Sequence, residues 1–311
     1  MTNRIIYYYQ TFSSLKPILV PNTPVTHIHV SSVHFGNNPD GSPYIHLNDN
    51  NPDDPTFNTM WKEINQAKRL GIEIVLMVGG AGGAYNDLFN NYDVYFPMLV
   101  DTIKKHSAIT GIDLDIEEGV ELDNVKKLIN DIVKTFGTKF TIAMAPLPSS
   151  LSTDSPGMGG FVYKQLYNSP EGQYIDYFNG QFYGSFQFED YDSIIKNGYK
   201  PEQVVMGMIS GQDFNEVLDT LKQVKHTYPD MGGTFVWEYF NAPQKWDVYV
   251  KSVLDPSKSL IQKVNDYAKS GVDLVTDGFN WTHKKIYSLK DIIWKKEPEL
   301  QMSEINEPIF D

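Results

Sequence analysis

The chain has 311 residues, of which 41% are hydrophobic and 21% are charged, as in an ordinary globular protein. Its formal net charge is −13 and its lysines are scattered among acidic residues. This argues against nucleic-acid and anionic-membrane partners, because both select basic surfaces. The chain contains no cysteine, which excludes disulfides and thiolate metal sites.

The start of the sequence carries neither the apolar core nor the small-residue cleavage site of a signal peptide. No apolar run approaches the length that a transmembrane helix needs. We therefore expect either a cytoplasmic protein or a secreted one whose leader has been removed.

Short β-rich segments recur along the chain and are separated by amphipathic stretches. The eight segments are residues 4–10, 27–36, 72–80, 111–117, 139–146, 177–184, 204–210 and 233–240. Apolar residues at helical spacing predict helices over 57–70, 122–136 and 214–228. Alternating strands and helices predict a parallel α/β sheet with right-handed crossovers, and eight strands favour a closed (β/α)8 TIM barrel. An open doubly wound sheet is the alternative, but no GxGxxG follows the first strand.

The predicted barrel occupies residues 1–254 as one catalytic domain. Segment 37–56 is rich in Asn, Asp and Pro, and we expect it to be a long loop at the carboxyl end of the second strand. The connection 211–232 has room for one helix only, so no α+β insertion domain is expected. Residues 255–311 follow as a C-terminal extension that we expect to be helical and to pack on the barrel.

Three carboxylates alternate along the fourth predicted strand, at Asp113, Asp115 and Glu117. Alternate residues of a strand point to one face, so the three side chains form one row inside the barrel. Mutual repulsion in a buried row raises at least one pKa, which suits a carboxylic acid catalyst at neutral pH. A solvent-exposed acidic edge strand and a metal site are alternatives. The aliphatic residues between the acids disfavour the first, and the second needs more ligands from neighbouring strands.

Two other motifs have competing interpretations. His27 and His29 resemble the paired histidines of barrel metallohydrolases, but they open their strand, so surface or capping histidines are the expected reading. The glycines of 79–83 could cradle a phosphate, yet no Lys-Ser/Thr follows them. We expect instead a strand exit at which substrate approaches the backbone.

The stretch Gly111-Ile-Asp-Leu-Asp-Ile-Glu117 closely resembles the DxxDxDxE signature of glycoside hydrolase family 18, the chitinases and endo-β-N-acetylglucosaminidases. Val78-Gly79-Gly80 resembles the SxGG motif of that family, and Gln181-Phe182-Tyr183 resembles its strand-six motif. Trp237 falls on the eighth strand, where the family keeps a tryptophan under the sugar. The chain departs from the pattern at three positions: Thr110 replaces the first Asp, Met77 the Ser, and Gln181 the Met.

The resemblance implies substrate-assisted, retaining hydrolysis, an exception to the usual scheme with two catalytic carboxylates. Glu117 would be the proton donor, Asp115 would hold the substrate acetamide, and Asp113 would share one proton with Asp115. Tyr183 would hydrogen-bond the acetamide carbonyl. The remaining substrate-binding residues that we expect are Trp237, Gln181, Met144, Gly80 and Tyr7. The resemblance implies no metal or organic cofactor.

Three functions remain in competition on this basis. The first is an endo-acting chitinase that cleaves β-1,4 bonds of N-acetylglucosamine polymers. The second is an endo-β-N-acetylglucosaminidase that cleaves the core of N-glycans. The third is an inactive, chitinase-like carbohydrate-binding protein, which the presence of Glu117, Asp115 and Tyr183 disfavours. All three imply an oligosaccharide or polysaccharide partner that contains N-acetylglucosamine, and none fixes an oligomeric state.

Overall fold

A computed structural model describes residues 3–255 of the chain. The predicted C-terminal extension and its packing on the barrel lie outside the described residues. Within 3–255, no helix is long and apolar enough to cross a bilayer.

Strands and helices alternate through the described residues. The strands are β1 (Arg4–Tyr9), β2 (His27–Asn37), β3 (Pro43–Leu47), β4 (Glu73–Gly79), β5 (Ile109–Asp115), β6 (Thr141–Met144), β7 (Tyr177–Gln181), β8 (Val204–Ile209) and β9 (Gly233–Trp237). The helices are α1 (Asn58–Arg69), α2 (Tyr85–Asn90), α3 (Tyr92–Lys105), α4 (Leu122–Phe136), α5 (Pro148–Ser152), α6 (Tyr163–Tyr167), α7 (Phe188–Lys196), α8 (Phe214–Thr227) and α9 (Trp246–Leu254). Short 3-10 turns lie at Lys16–Ile18, Pro55–Phe57, Glu171–Tyr174, Pro201–Gln203 and Tyr239–Asn241.

Eight parallel strands close into a barrel. The sheet runs β1-β9-β8-β7-β6-β5-β4-β2, and β1 also pairs with β2, which closes the ring. The predicted (β/α)8 TIM barrel is therefore confirmed. The connection from β8 to β9 holds α8 alone, so the expectation that no α+β domain is inserted there is also confirmed.

The prediction of a long loop over 37–56 is wrong in part. β3 pairs antiparallel with the end of β2, from Val33 opposite Leu47 to Asn37 opposite Pro43. Ile45 and Leu47 are buried and alternate with less buried neighbours, a strand pattern too short to stand out among the surrounding Asn, Asp and Pro. The hairpin extends β2 beyond the carboxyl-end rim of the barrel.

Helix α4 shows how the sequence builds the outer layer. Val125, Leu128, Ile129 and Ile132 are its buried residues, and this i, i+3, i+4, i+7 spacing makes one apolar stripe against the sheet. Gly137 follows with φ 85°, a left-handed conformation that glycine adopts without strain. The helix bounds predicted here are confirmed.

Side chains alternate between the inside of the barrel and the helix layer. The inner cluster consists of Ile6, Tyr8, Met77, Ala143, Tyr177, Val205 and Phe235. On β5, Ile112 and Leu114 belong to the outer cluster, as does Ile116 just beyond the strand, which leaves the acidic positions facing inward as predicted. β5 ends at Asp115, so Glu117 stands above the strand at the open end of the barrel.

Candidate active site

The three carboxylates form a gradient of burial from the barrel interior to its mouth. Asp113 is 0% exposed and Asp115 is 5% exposed, whereas Glu117 is partly exposed. Strand β5 carries the two aspartates inward, and the chain carries Glu117 out past the strand end. Glu117 is thus the carboxylate that can meet a substrate and solvent, and the aspartates lie beneath it.

The innermost carboxylate, Asp113, is held by side chains from three other strands. Its Oδ2 accepts from the Tyr8 hydroxyl at 2.5 Å and lies 2.8 Å from Nδ1 of His29. Nδ2 of Asn179 lies 3.4 Å from the same oxygen and donates to the Tyr8 oxygen at 2.8 Å. Burial and the Asp113 charge raise the pKa of Tyr8 far above its usual range, which keeps its hydroxyl a donor.

Asp115 sits between the other two acids. Burial, the charge of Glu117 and the charge of Asp113, in that order, raise its pKa well above the usual range. The predicted effect of the acidic row on at least one pKa is therefore present, and it falls on the middle residue. The raised pKa favours the protonated form of Asp115, which lies beside the partly exposed Glu117.

The side-chain amide of Gln181 joins the upper two acids. Its Nε2 lies 3.2 Å from Oδ1 of Asp115 and 3.1 Å from Oε1 of Glu117. The same nitrogen donates to the backbone oxygen of Ala145 at 2.8 Å, which anchors the amide to the end of β6. Gln181 therefore fixes the position of Asp115 relative to Glu117.

Two aromatic side chains line the mouth of the barrel. Tyr183 is partly exposed and packs edge-on against Phe235, with ring centroids 6.2 Å apart. Burial and the Asp115 and Glu117 charges raise the pKa of the Tyr183 hydroxyl, so it remains a hydrogen-bond donor. Trp237 is also partly exposed and lies 5.3 Å from the Tyr8 ring. The two rings give the site an apolar floor.

Gly80 lies directly against the carboxylate of Asp115. Its φ is +81°, and a Cβ at this position would meet Cε of Met77 at 2.8 Å and Oδ2 of Asp115 at 3.3 Å. Only glycine combines the left-handed backbone with this close approach. The structure therefore places Gly80 at the site, as the sequence predicts.

Glu118 ties the glycine loop to the end of β5. Its carboxylate accepts from the backbone N–H groups of Ala84 and Tyr85 and from Nδ2 of Asn86 at 2.6 Å. From the other side, Nδ1 of His34 lies 2.7 Å from the backbone oxygen of Gly83. These contacts hold the loop beside the site, and no motif in the sequence signals them.

Two residues predicted to contact substrate do not face the site. The Tyr7 hydroxyl lies 3.4 Å from Oδ1 of Asp247 and its ring packs on Trp246, outside the barrel wall. Met144 belongs to the outer cluster. Strand alternation is the reason in both cases, because the inward positions are taken by the neighbours Tyr8 and Ala143.

The reading of His27 and His29 as surface or capping residues is wrong. His29 is 0% exposed and His27 is 9% exposed, and both point into the barrel, where Nε2 of His27 pairs with Glu73 at 3.1 Å. Across residues 3–255, no three acidic or histidine side chains are grouped so that they could hold a metal ion. Tyr8, His29 and Asn179 are site residues that the sequence analysis missed.

Solved structures similar to this chain include an endo-β-N-acetylglucosaminidase and several chitinases. A fungal endo-β-N-acetylglucosaminidase from glycosyl hydrolase family 18 shares 31% identity with a TM-score of 0.74, over 82% of this chain and 99% of that one. A chitinase from Aspergillus fumigatus shares 30% identity with a TM-score of 0.71, over 78% of this chain and 93% of that one. A family 18 chitinase from Pseudoalteromonas aurantia, at 17% identity and a TM-score of 0.64, covers 81% of this chain and 100% of that one.

No protein-family model and no curated protein matches the chain. The structural similarity nevertheless spans nearly the whole length of two relatives at 30% identity or more, and the acidic row sits inside the same barrel. The chain belongs to glycoside hydrolase family 18.

Proposed function

We propose that this glycoside hydrolase cleaves β-1,4 bonds between N-acetylglucosamine units of chitin or chitooligosaccharides, in an endo-acting and retaining manner. The observation that carries the proposal is the Asp115–Gln181–Glu117 arrangement, in which a buried acid of raised pKa lies beneath a partly exposed one. Tyr183 and Trp237 border the same opening.

In the first step, Glu117 transfers its proton to the glycosidic oxygen as the bond from that oxygen to the anomeric carbon breaks. The 2-acetamido oxygen of the substrate forms a new bond to the same carbon and gives a cyclic oxazolinium ion. An oxygen of Asp115 accepts a hydrogen bond from the acetamide N–H, and the single negative charge of the Asp113–Asp115 pair stabilises the positive charge. The Tyr183 hydroxyl donates to the acetamide oxygen. Trp237 stacks under the sugar ring.

In the second step, Glu117 takes a proton from water while the water oxygen attacks the anomeric carbon. The bond to the acetamide oxygen breaks, and the product leaves with its original configuration. Glu117 ends the cycle protonated, so protons balance over the two steps. Substrate supplies the nucleophile, which is why one exposed carboxylate is sufficient.

The first test is the hydrolysis of chitooligosaccharides of four to six sugars, from chitotetraose up to chitohexaose. The Glu117→Gln variant serves as the matched blank. We expect the wild type to release shorter oligomers and the variant to lose at least about a thousandfold of the rate, since it keeps the shape but not the acid. NMR of the fresh product tests retention, because the β-anomer should appear first. Equal release of sugars by both proteins would refute the assignment of Glu117.

An endo-β-N-acetylglucosaminidase is the second candidate, favoured by the 31% identity to such an enzyme from a fungus. It would use the same acids on the core of N-glycans. The discriminating measurement is mass spectrometry of a high-mannose glycoprotein after incubation. Loss of the glycan with one N-acetylglucosamine left on the protein, without cleavage of chitooligosaccharides, would select this candidate. Failure on both substrates would favour the inactive carbohydrate-binding alternative.

A further inference from the structure

The polar partners of Asp113 all come from across the barrel. On the two strands that flank β5, the residues level with Asp113 are Met77 and Ala143, and both are apolar. Within residues 3–255, the side-chain hydrogen bonds to the carboxylate come from Tyr8 on β1, His29 on β2 and Asn179 on β7, and all three lie around Oδ2.

His29 is the buried base of this cluster. Its side chain is 0% exposed, as is that of Asp113. Nδ1 lies 2.8 Å from Oδ2 of Asp113 and Nε2 lies 3.1 Å from the Tyr177 hydroxyl. An ionised Asp113 can only accept a hydrogen bond, and in that case Nδ1 of His29 carries the proton between them. When the ring is neutral, Nε2 then accepts from Tyr177, so the outer contact selects the tautomer that faces Asp113.

We propose that His29 is a positioning residue that keeps Asp113 ionised, so that the single proton of the aspartate pair resides on Asp115. This inference rests on the proposed function. A hydrogen bond to the charged form of a carboxyl group favours that form, and no water competes with it at 0% exposure. The charge of Asp113 in turn helps to raise the pKa of Asp115, after burial and the charge of Glu117.

Other titratable groups surround the imidazole. The Arg4 guanidinium lies 4.2 Å from the centroid of the Tyr177 ring. His27, which pairs with Glu73, lies two residues before His29 on β2. The residues beside the imidazole are Tyr8, His27, Asp113 and Tyr177. The charged and titratable groups that interact with these residues in turn include Arg4, Glu73, Asp115, Asp176 and Tyr183. None of these groups is substituted in a His29 variant, so the His29→Asn and His29→Gln enzymes differ only in this side chain.

Two substitutions separate the two contacts of His29. Asparagine places an amide nitrogen near the position of Nδ1, so His29→Asn keeps the donor to Asp113 and loses the Tyr177 contact. Glutamine reaches the position of Nε2, so His29→Gln keeps the outer contact and loses the donor. The pair is matched in polarity and differs in which end of the imidazole it replaces.

The expected result is a shift of the pH profile in one variant only. Without the donor, the ionised form of the aspartate pair is less stable, and the pair takes up its second, inactivating proton at a higher pH. The acidic limb of kcat/KM should therefore move upward by about one pH unit in His29→Gln and stay near the wild-type position in His29→Asn. Equal shifts in both variants, or none in either, would overturn the proposal.

A readout without substrate keeps this test separate from the proposed function. In protein labelled with 15N-histidine, the Nδ1 proton of His29 should give a strongly downfield resonance that is present in the wild type and in Tyr8→Phe, and absent in His29→Asn. If His29 carries no proton on Nδ1, the proposal is wrong whatever the enzyme hydrolyses. If His29→Gln does not fold, Tyr177→Phe replaces it, with a smaller shift of the acidic limb in the same direction expected.

Discussion

The amide nitrogen of Gln181 lies 3.1 Å from a carboxylate oxygen of Glu117. The same nitrogen reaches Asp115 and the backbone of Ala145, so it spans the acid at the mouth and the acid beneath it. Gln181 is the last residue of β7, so this strand holds the amide that contacts both carboxylates.

Replacing Gln181 with methionine, which has a similar volume, should lower kcat by roughly ten- to a hundredfold. The reason is that the amide has two N–H groups for three acceptors, so the two carboxyl groups together lose about one full hydrogen bond, which contributes about 1.5–3 kcal/mol. KM should change little, since the lost hydrogen bonds are made to Asp115 and Glu117 and not to the substrate. Gln181→Glu is a second comparison. It adds a carboxyl group beside Asp115 and Glu117, and it should impair activity more than Gln181→Met does. A Gln181→Met enzyme with wild-type kcat would show that the amide does not position the acids.

Gly80→Ala should reduce activity far more than an equally strained substitution elsewhere. The new Cβ would press on Met77 and approach Asp115, at φ +81°. Gly41 has φ +84° and open space around its Cβ position, so Gly41→Ala carries the same backbone cost of about 1 kcal/mol without the contact. Thermal melts and kcat of both variants check this. Equal losses of activity would mean that backbone strain alone is responsible.

Asp247, a buried acid of helix α9 outside the barrel, predicts that stability depends on pH. Burial raises the pKa of Asp247 to about 6, and its Oδ2 has no hydrogen-bond partner in the described part of the chain. Because the folded pKa lies above the unfolded one of about 3.9, the contribution of this carboxyl group to stability is fully present below roughly pH 4. That contribution is lost, by about 3 kcal/mol, as the pH rises through 6.

Asp247→Asn should therefore raise Tm at pH 8 and leave it nearly unchanged at about pH 4. Asp219, 69% exposed beside Lys222 on α8, gives the matched control, and Asp219→Asn should have little effect at either pH. Calorimetric melts at the two pH values test the prediction. A destabilised Asp247→Asn at pH 8 would show that the ionised carboxylate is needed after all.

Exposed apolar side chains beside Trp237 predict an extended binding surface. Ile209 is the strand neighbour of Trp237 and is 38% exposed, while Phe240 in the following turn is 60% exposed. We expect Phe240→Ala to raise KM for chitohexaose about fivefold, as an aromatic face over a sugar contributes on the order of 1 kcal/mol.

The same variant should leave KM for a chromogenic disaccharide unchanged, because a short substrate does not reach that far. Val94→Ala is the control, since Val94 is 42% exposed on α3, on the outside of the barrel. Parallel rises in KM for long and short substrates would argue for a general distortion of the mouth instead.

Periodicity in the sequence was sufficient to predict the barrel and the acidic row. On β5, aliphatic and acidic residues alternate, so the inward face could be read directly. At Tyr7, Tyr8 and Tyr9 the residue type is the same on both faces, and the sequence holds no sign of which ring points inward. His29 and Asn179 join Asp113 only after the barrel closes, because their strands are far apart in the chain.

The two adjacent glutamates after β5 serve different ends. Glu117 is partly exposed at the mouth of the barrel, whereas the carboxylate of Glu118 accepts hydrogen bonds from the backbone of Ala84 and Tyr85 and from Asn86. The chain thus supplies its own anion to the glycine loop, in the place where a phosphate would otherwise find N–H donors. We expect that phosphate in the buffer does not inhibit the enzyme by binding at this loop, because the Glu118 carboxylate already accepts from the N–H groups that would bind it.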